Sequence, residues 1–511
     1  MLRLRLARSV IGDRPSHPIC CQQLSLMKER SPSERDCRIA ATISAFLCGI
    51  LIRSSILLIG VALGIASIRA ESLDGIWRSE GYGLVFQIQG SNLKTFELTT
   101  STCVGGGTAL RDGTVSDGRE ATFKTPDGDV FFVRSGGSAD HKTMHTEGSA
   151  SDVRIDRIPQ LPAACEHPTP NTPAGNFEVF VRTWTENYIL FDQAAIDWGA
   201  VVEKNRLKIT ADTSPTGLFD IFQGMIEPFH NRHTFIEAPD LKREFTSFRP
   251  GTDHLIKGDI QAFPKNETPL LLGITDQAYF KTPLLKFCNG QLQYGHVDEN
   301  IGYLRIPRFS RYSEQGGFAA GLAELQSALD QIFSDAKLKA LIIDVRLNSG
   351  GFDPYGLEIA SRLATQDYVA YIKQARADAD DRNKWTPGDK SIVHPSSRPS
   401  FRGPVVELTG PHTISAGETF TQALMGRTPH VIRTGENTQG VFSDVLGRSL
   451  PNGWNFGLPN EVFRTPEGTI FDGTGIPPDV EVPVFANSDV AARRDPAMSM
   501  AIEILRQKTG Q

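Results

Sequence analysis

The sequence predicts an α/β protein whose core is a mostly parallel sheet with flanking helices, preceded by a helical segment and a small all-β domain. Three observations predict it. From Ile301 onward, near-continuous apolar strands alternate with amphipathic helical stretches, which is the pattern of a sheet covered on both faces. Residues Phe177, Phe180, Val181, Trp184 and Tyr188 recur at helical spacing. Residues 71–158 are short β-like runs such as "GLVFQIQGSN" and "FELTTS", separated by glycine, Asp-Gly and Ser-Gly turns, as in a small antiparallel sandwich or barrel.

Each element follows in order. Residues 159–175, "PQLPAACEHPTPNTPAG", are proline-rich and aperiodic and form a linker. Residues 176–237 hold three helices, over "FEVFVRTWTENYILF", 196–207 and 215–229, and close on a loop or edge strand at "HNRHTFIEAP". Residues 238–300 are an irregular connecting region with a few short strand candidates. The α/β core, residues 301–490, reads as strand "IGYLRI", helix 317–333, strand "ALIIDV", helix 354–365 and a strand near "YVAYIK". A polar insertion at 375–402 is followed by strand "VVEL", helix 416–425 and strand "HVIRT". Residues 491–511 form a C-terminal helix or tail. Loops at the carboxyl ends of the parallel strands are the expected place for a site.

The chain has 511 residues and a formal net charge of −6, an ordinary globular composition that excludes fibrous and disordered classes. No basic block lies outside the N-terminal leader, so a nucleic-acid partner is not expected. That leader, residues 1–70, combines an Arg-rich start with the apolar runs "AATISAFLCGILI" and "SSILLIGVALGIAS". It reads as an export signal cleaved near Ala66 or Ala70, with a periplasmic or extracellular destination, or else as a retained segment that associates the protein with the membrane. Cys103, Cys165 and Cys288 lie beyond it; Cys103 and Cys165 flank one small domain and either bridge in an oxidising compartment or stay as buried thiols. No ligand spacing supports a metal, and no cofactor is expected.

The turn "LTGPHTISAGE" follows a buried strand and opens a helix, which places Ser415 at the carboxyl edge of the sheet. The amide of Ala416 is then one of the unpaired donors at a helix N-terminus, suited to a developing oxyanion. "RLNSGGFDP" follows another buried strand, and Gly350-Gly351 lets backbone N–H groups approach a ligand. The competing reading is local: Ser415-Ala-Gly-Glu418 also fits the S-x-x-E capping box. A serine nucleophile needs a base and a group to orient it. His233, in a polar loop just past a helix, is a candidate base, and "FDGTGIPPDVEV" offers Asp472 and Asp479.

Taken together, "WTENYILFDQAAIDW", "HNRHTFI", "IGYLRIPRF", "LIIDVRLNSGG", "TISAGETF", "GENTQGVFSDVLGRSLPNG" and "GTGIPPDVEV" resemble the C-terminal processing (tail-specific) serine peptidases, in the branch of the tricorn core protease, over roughly residues 175–485. The resemblance implies a ClpP/crotonase-like core and a peptide or protein substrate. It also implies Ser415 as nucleophile, His233 as general base, Asp472 in the place of a glutamate, an oxyanion hole from Gly351 and Ala416 beside Gly350, and a geometric role for Glu418. The lysine base of the other branch falls at Val441 here, and Arg232 stands where the tricorn type has a serine. No PDZ insertion is legible. Two other readings remain: a non-catalytic binding module for a peptide or apolar ligand on the same fold, and an esterase, for which no G-x-S-x-G elbow is present.

Overall fold

The computed structural model describes residues 73–113, 119–249, 267–314 and 316–510. The leader reading lies outside these residues. Among the described residues no helix is long and apolar enough to cross a membrane.

The all-β region is a closed barrel of eight antiparallel strands, its first strand Gly75–Ser79 pairing with its last, Asp152–Ile158. Alternate residues point inward, so Trp77, Phe86, Ile88, Phe123, Val133, Met144 and Ile155 fill the interior. A disulfide joins Cys103 on the strand Cys103–Asp112 to Cys165 on the short linker helix Ala163–Glu166. Cys288 is a buried free thiol.

The helix Pro173–Asn187 starts where Thr172 Oγ1 accepts the Gly175 N–H and Pro173 takes the first helical position. Its apolar stripe seeds an aromatic cluster: the Trp184 ring lies 4.9 Å from Tyr188, 5.5 Å from Trp198 and 4.8 Å from Phe229. Burying each such ring is worth about 1.5–3 kcal/mol. Phe229 ends the helical stretch Pro215–Ile226 and Glu227–Phe229, so this cluster fixes where the following residues, Asn231 to Thr234, emerge.

The core sheet has seven strands in the order Leu285–Phe287, Leu292–His296, Ile301–Arg305, Ala340–Asp344, Val405–Thr409, Ile432–Gly435 and Val480–Glu481. The last five run parallel. Leu341, Ile343 and Val405 face one layer with Ile359, Phe420 and Leu424. Ala340, Ile342, Val406 and Leu408 face the other, against Met498, Ile502 and Leu505 of the C-terminal helix Pro496–Thr509. Two-sided burial is why these strands lack alternation in sequence.

The region read as irregular holds a helix, Glu267–Tyr279, and the two antiparallel edge strands. The polar insertion carries the strand Asp389–Val393, part of a three-stranded sheet with Tyr368–Ala375 and Glu461–Arg464. A further sheet, Arg243–Thr246, Phe235–Ala238, Asn455–Pro459 and Val445–Ser449, joins the helical segment to the core.

Candidate active site

Ser415 sits between the strand Val405–Thr409 and the helix Ala416–Met425, with φ 55° and ψ −124°. That conformation costs a non-glycine residue on the order of 1–3 kcal/mol and persists only where the surroundings over-determine it. Here they do. The Ser415 N–H donates to Val441 O at 2.9 Å, and the Ile414 N–H to Asn348 O at 3.1 Å. From His412 to Phe420 every residue is buried except Ser415, which is partly exposed.

The capping-box reading is corrected by this geometry. Ser415 Oγ makes no cap hydrogen bond, because the left-handed backbone turns it away from the helix amides. Glu418 turns elsewhere as well: its Oε1 accepts the Gly440 N–H at 2.6 Å and its Oε2 the Val441 N–H at 2.7 Å. Burial raises the Glu418 pKa to about 8, against the hydrogen bonds from Thr438, Gly440 and Val441.

Gly350 and Gly351 hold φ of 83° and 141°. A Cβ on Gly350 would lie 2.7 Å from Ser415 Cβ, and one on Gly351 2.2 Å from Phe309 O, so neither position has room for a side chain. The Gly350 N–H is committed to Asn348 Oδ1 at 2.9 Å. The amides of Gly351 and Ala416 donate to no acceptor among the described residues. Asn348 also donates to Ile306 O at 2.8 Å, which ties the glycine turn to the neighbouring strand end.

His233 is presented by an Asx-type turn: its N–H donates to Asn231 Oδ1 at 2.8 Å and the Thr234 N–H to Asn231 O at 2.9 Å. The imidazole lies against the Ser443 backbone, and its Nδ1 is buried without a partner. Burial lowers its pKa to about 4; the Asp444 carboxylate and the Ser443 backbone oppose this, and the Arg232 charge adds to it. His233 is therefore neutral at pH 7. No hydrogen bond joins it to Ser415 among the described residues.

Asp472 is fully buried, and its Oδ1 accepts the Phe442 N–H at 2.9 Å. The Ser443 amide also hydrogen-bonds this carboxylate, whose pKa burial raises to about 7. Its Oδ2 has no hydrogen-bond partner among the described residues. Asp479 stands apart in an ion pair with Arg433 at 2.6 Å, and 3.2 Å from His430. So Ser415, His233, Asp472 and Glu418 are brought together on one segment, residues 440–443, rather than on one another.

Sequence reasoning missed two residues next to that segment. Asp444 Oδ2 lies 2.5 Å from the buried Lys373 Nζ, which is also 3.2 Å from Glu461 Oε1. The signal in sequence was slight: a lone lysine in the apolar run "YVAYIK" and an aspartate just before the strand Val445–Ser449. Among the described residues no three His, Cys, Asp or Glu side chains cluster as metal ligands.

Residues 300–482 match peptidase family S41. The chain carries an S41 peptidase domain. A carboxy-terminal-processing protease of Bartonella bacilliformis is 26% identical over 191 residues, 36% of this chain and 39% of that protein. The chloroplastic carboxyl-terminal-processing peptidase 2 of Arabidopsis thaliana is 25% identical over 189 residues, 37% of this chain and 33% of its own. The matched part thus spans little more than a third of these relatives. A solved structure from Parabacteroides merdae, assigned as a peptidase, superposes with a TM-score of 0.53 at 24% identity, covering 66% of this chain and 97% of its own. That likeness shows the fold. The S41 domain contains Ser415, both glycines, Glu418 and Asp472, whereas His233 lies upstream of the matched residues.

Proposed function

We propose that the protein is an exported serine-type peptidase that hydrolyses peptide bonds of proteins or peptides, with Ser415 as nucleophile and His233 as general base, on a ClpP/crotonase-like core of the tricorn-like type. The observation that carries this reading is the Ser415 backbone: a strained serine at a strand-to-helix turn, its Oγ uncommitted, beside two unpaired amides.

The chemistry follows from the parts. A substrate carbonyl carbon placed on Ser415 Oγ would direct its oxygen toward the Gly351 and Ala416 N–H groups, which stabilise the tetrahedral oxyanion. Neutral His233 accepts the hydroxyl proton, returns it to the leaving amine, and later activates water against the acyl-enzyme. Ser415 and His233 are anchored two residues apart on the 440–443 segment, at Val441 and Ser443. Val441 sits in that segment, where it can supply no lysine base. Asp472 is engaged with backbone amides, so the charge that supports the imidazolium comes from Asp444.

Labelling by a fluorophosphonate probe tests the reading. Wild type should label, and Ser415→Ala and His233→Ala should each abolish labelling while circular dichroism stays unchanged. Folded wild type that never labels would leave the domain as a binding module.

A further inference from the structure

The barrel reaches into the peptidase site. Tyr82, on the turn after its first strand, donates its hydroxyl to Glu461 Oε1 at 2.5 Å in a buried contact. Glu461 Oε1 is 3.2 Å from Lys373 Nζ, and Lys373 Nζ is 2.5 Å from Asp444 Oδ2. Asp444 follows Ser443, on whose backbone His233 rests. The links run through five separate elements, and the turn at Tyr82 is held in place from the core side because Arg448 donates to its carbonyl.

We propose that Tyr82 is a positioning residue for the catalytic base: by holding a negative charge on Glu461 it divides Lys373 between two carboxylates and leaves net negative charge of Asp444 facing His233. The inference rests on the peptidase reading of the same site. One lysine serves Asp444 and Glu461, with Asp353 also near it. Glu80, Asp152 and Arg154 line a cavity with Tyr82 and Lys373; Tyr371 lies near Asp353 and Asp444, Asp389 near Tyr82, and the Arg232 charge opposes an imidazolium at His233. Asp353 is itself held by the Thr419 hydroxyl at 2.6 Å. Burial raises Glu461 to about 7, and the Asp444 charge adds to this; Lys373 and the tyrosine hydroxyl pull the other way and keep it from being neutral throughout.

When Glu461 becomes neutral, Lys373 is left wholly to Asp444, less negative charge faces His233, and its imidazolium is less stable. Tyr82→Phe should therefore move the acidic limb of the kcat/KM profile down by about half a pH unit and lower the plateau several-fold. Glu461→Gln, which keeps an acceptor for the Tyr82 hydroxyl, should do the same, and the double variant should add no further shift.

The experiment measures kcat/KM against pH for peptide hydrolysis by the full chain and its variants. Alongside it, an NMR titration follows the His233 imidazole in a Ser415→Ala background with and without Tyr82→Phe. Limbs that stay put in both single variants, or shifts that add in the double, would overturn the proposal; a lower plateau with an unmoved limb would mean Tyr82 is only structural. Wild type without hydrolysis or labelling would sink the peptidase reading instead, and the imidazole titration would still decide the linkage.

Discussion

Two groups of carboxylates, all buried but the half-buried Asp444, flank residues 440–443, and they are satisfied in different ways. Glu418 and Asp472 pair with no cation among the described residues and accept successive backbone amides. Asp444 and Glu461 share Lys373 and borrow a tyrosine hydroxyl. The first arrangement fixes the path of a loop but leaves each acid close to neutral, at about 8 and about 7. The second sets a cation between its acids, although burial still raises Glu461 to about 7 against the pull of Lys373 and the Tyr82 hydroxyl. A carboxylate that only shapes backbone can be protonated without loss, whereas one meant to act on a base must stay ionised, and that requires a cation.

The difference can be broken on either side. Lys373→Met removes the cation and should have the largest effect, destabilising the protein by about 3–5 kcal/mol in urea unfolding because an uncompensated carboxylate is left buried. Glu418→Ala orphans the Gly440 and Val441 amides and frees the segment that anchors Ser415. A loss of about 2–3 kcal/mol is expected, with loss of probe labelling exceeding what the stability change explains. Retained labelling would detach the loop from the site.

The third effect is a matter of pH. The Glu418 and Asp472 pKa values are raised in the folded state, so the stability they contribute is present below about pH 4 and is lost as pH rises through 7 to 8. Thermal midpoints should fall between about pH 4 and 8. Asp472→Asn should flatten that fall, being near neutral at pH 4 and stabilising by on the order of 4 kcal/mol above pH 7. An unchanged slope would mean that Asp472 stays ionised and that its unpartnered oxygen is masked by water.

The parts of the fold that announce themselves in sequence are those made by burial. The helix Ala416–Met425 lies where its apolar stripe put it, and Ala340–Asp344 and Val405–Thr409 follow from runs buried on both faces. The helix Glu267–Tyr279 escaped because its three successive leucines blur the helical period. The hairpin Val445–Ser449 with Asn455–Pro459 escaped because glycine, asparagine and proline interrupt its alternation. At the site, residue types were legible and their partners were not. S-x-x-E is the same text whether the serine caps the helix or stands reversed on a left-handed backbone, and only contacts with residues 348 and 441 decide between them. Lys373 and Asp444 meet across 71 positions, which no local pattern encodes.

The disulfide between Cys103 and Cys165 has a consequence for the order in which the molecule is made. Both cysteines and all eight barrel strands precede the helix Pro173–Asn187, and His233, Gly351 and Ser415 follow in turn. Because domains form as the chain emerges, the cross-linked barrel precedes the nucleophile, while Arg448 and Glu461, which hold Tyr82, follow it. The barrel is then the template on which two later strands, Val445–Ser449 and Glu461–Arg464, settle after Ser415 has been made.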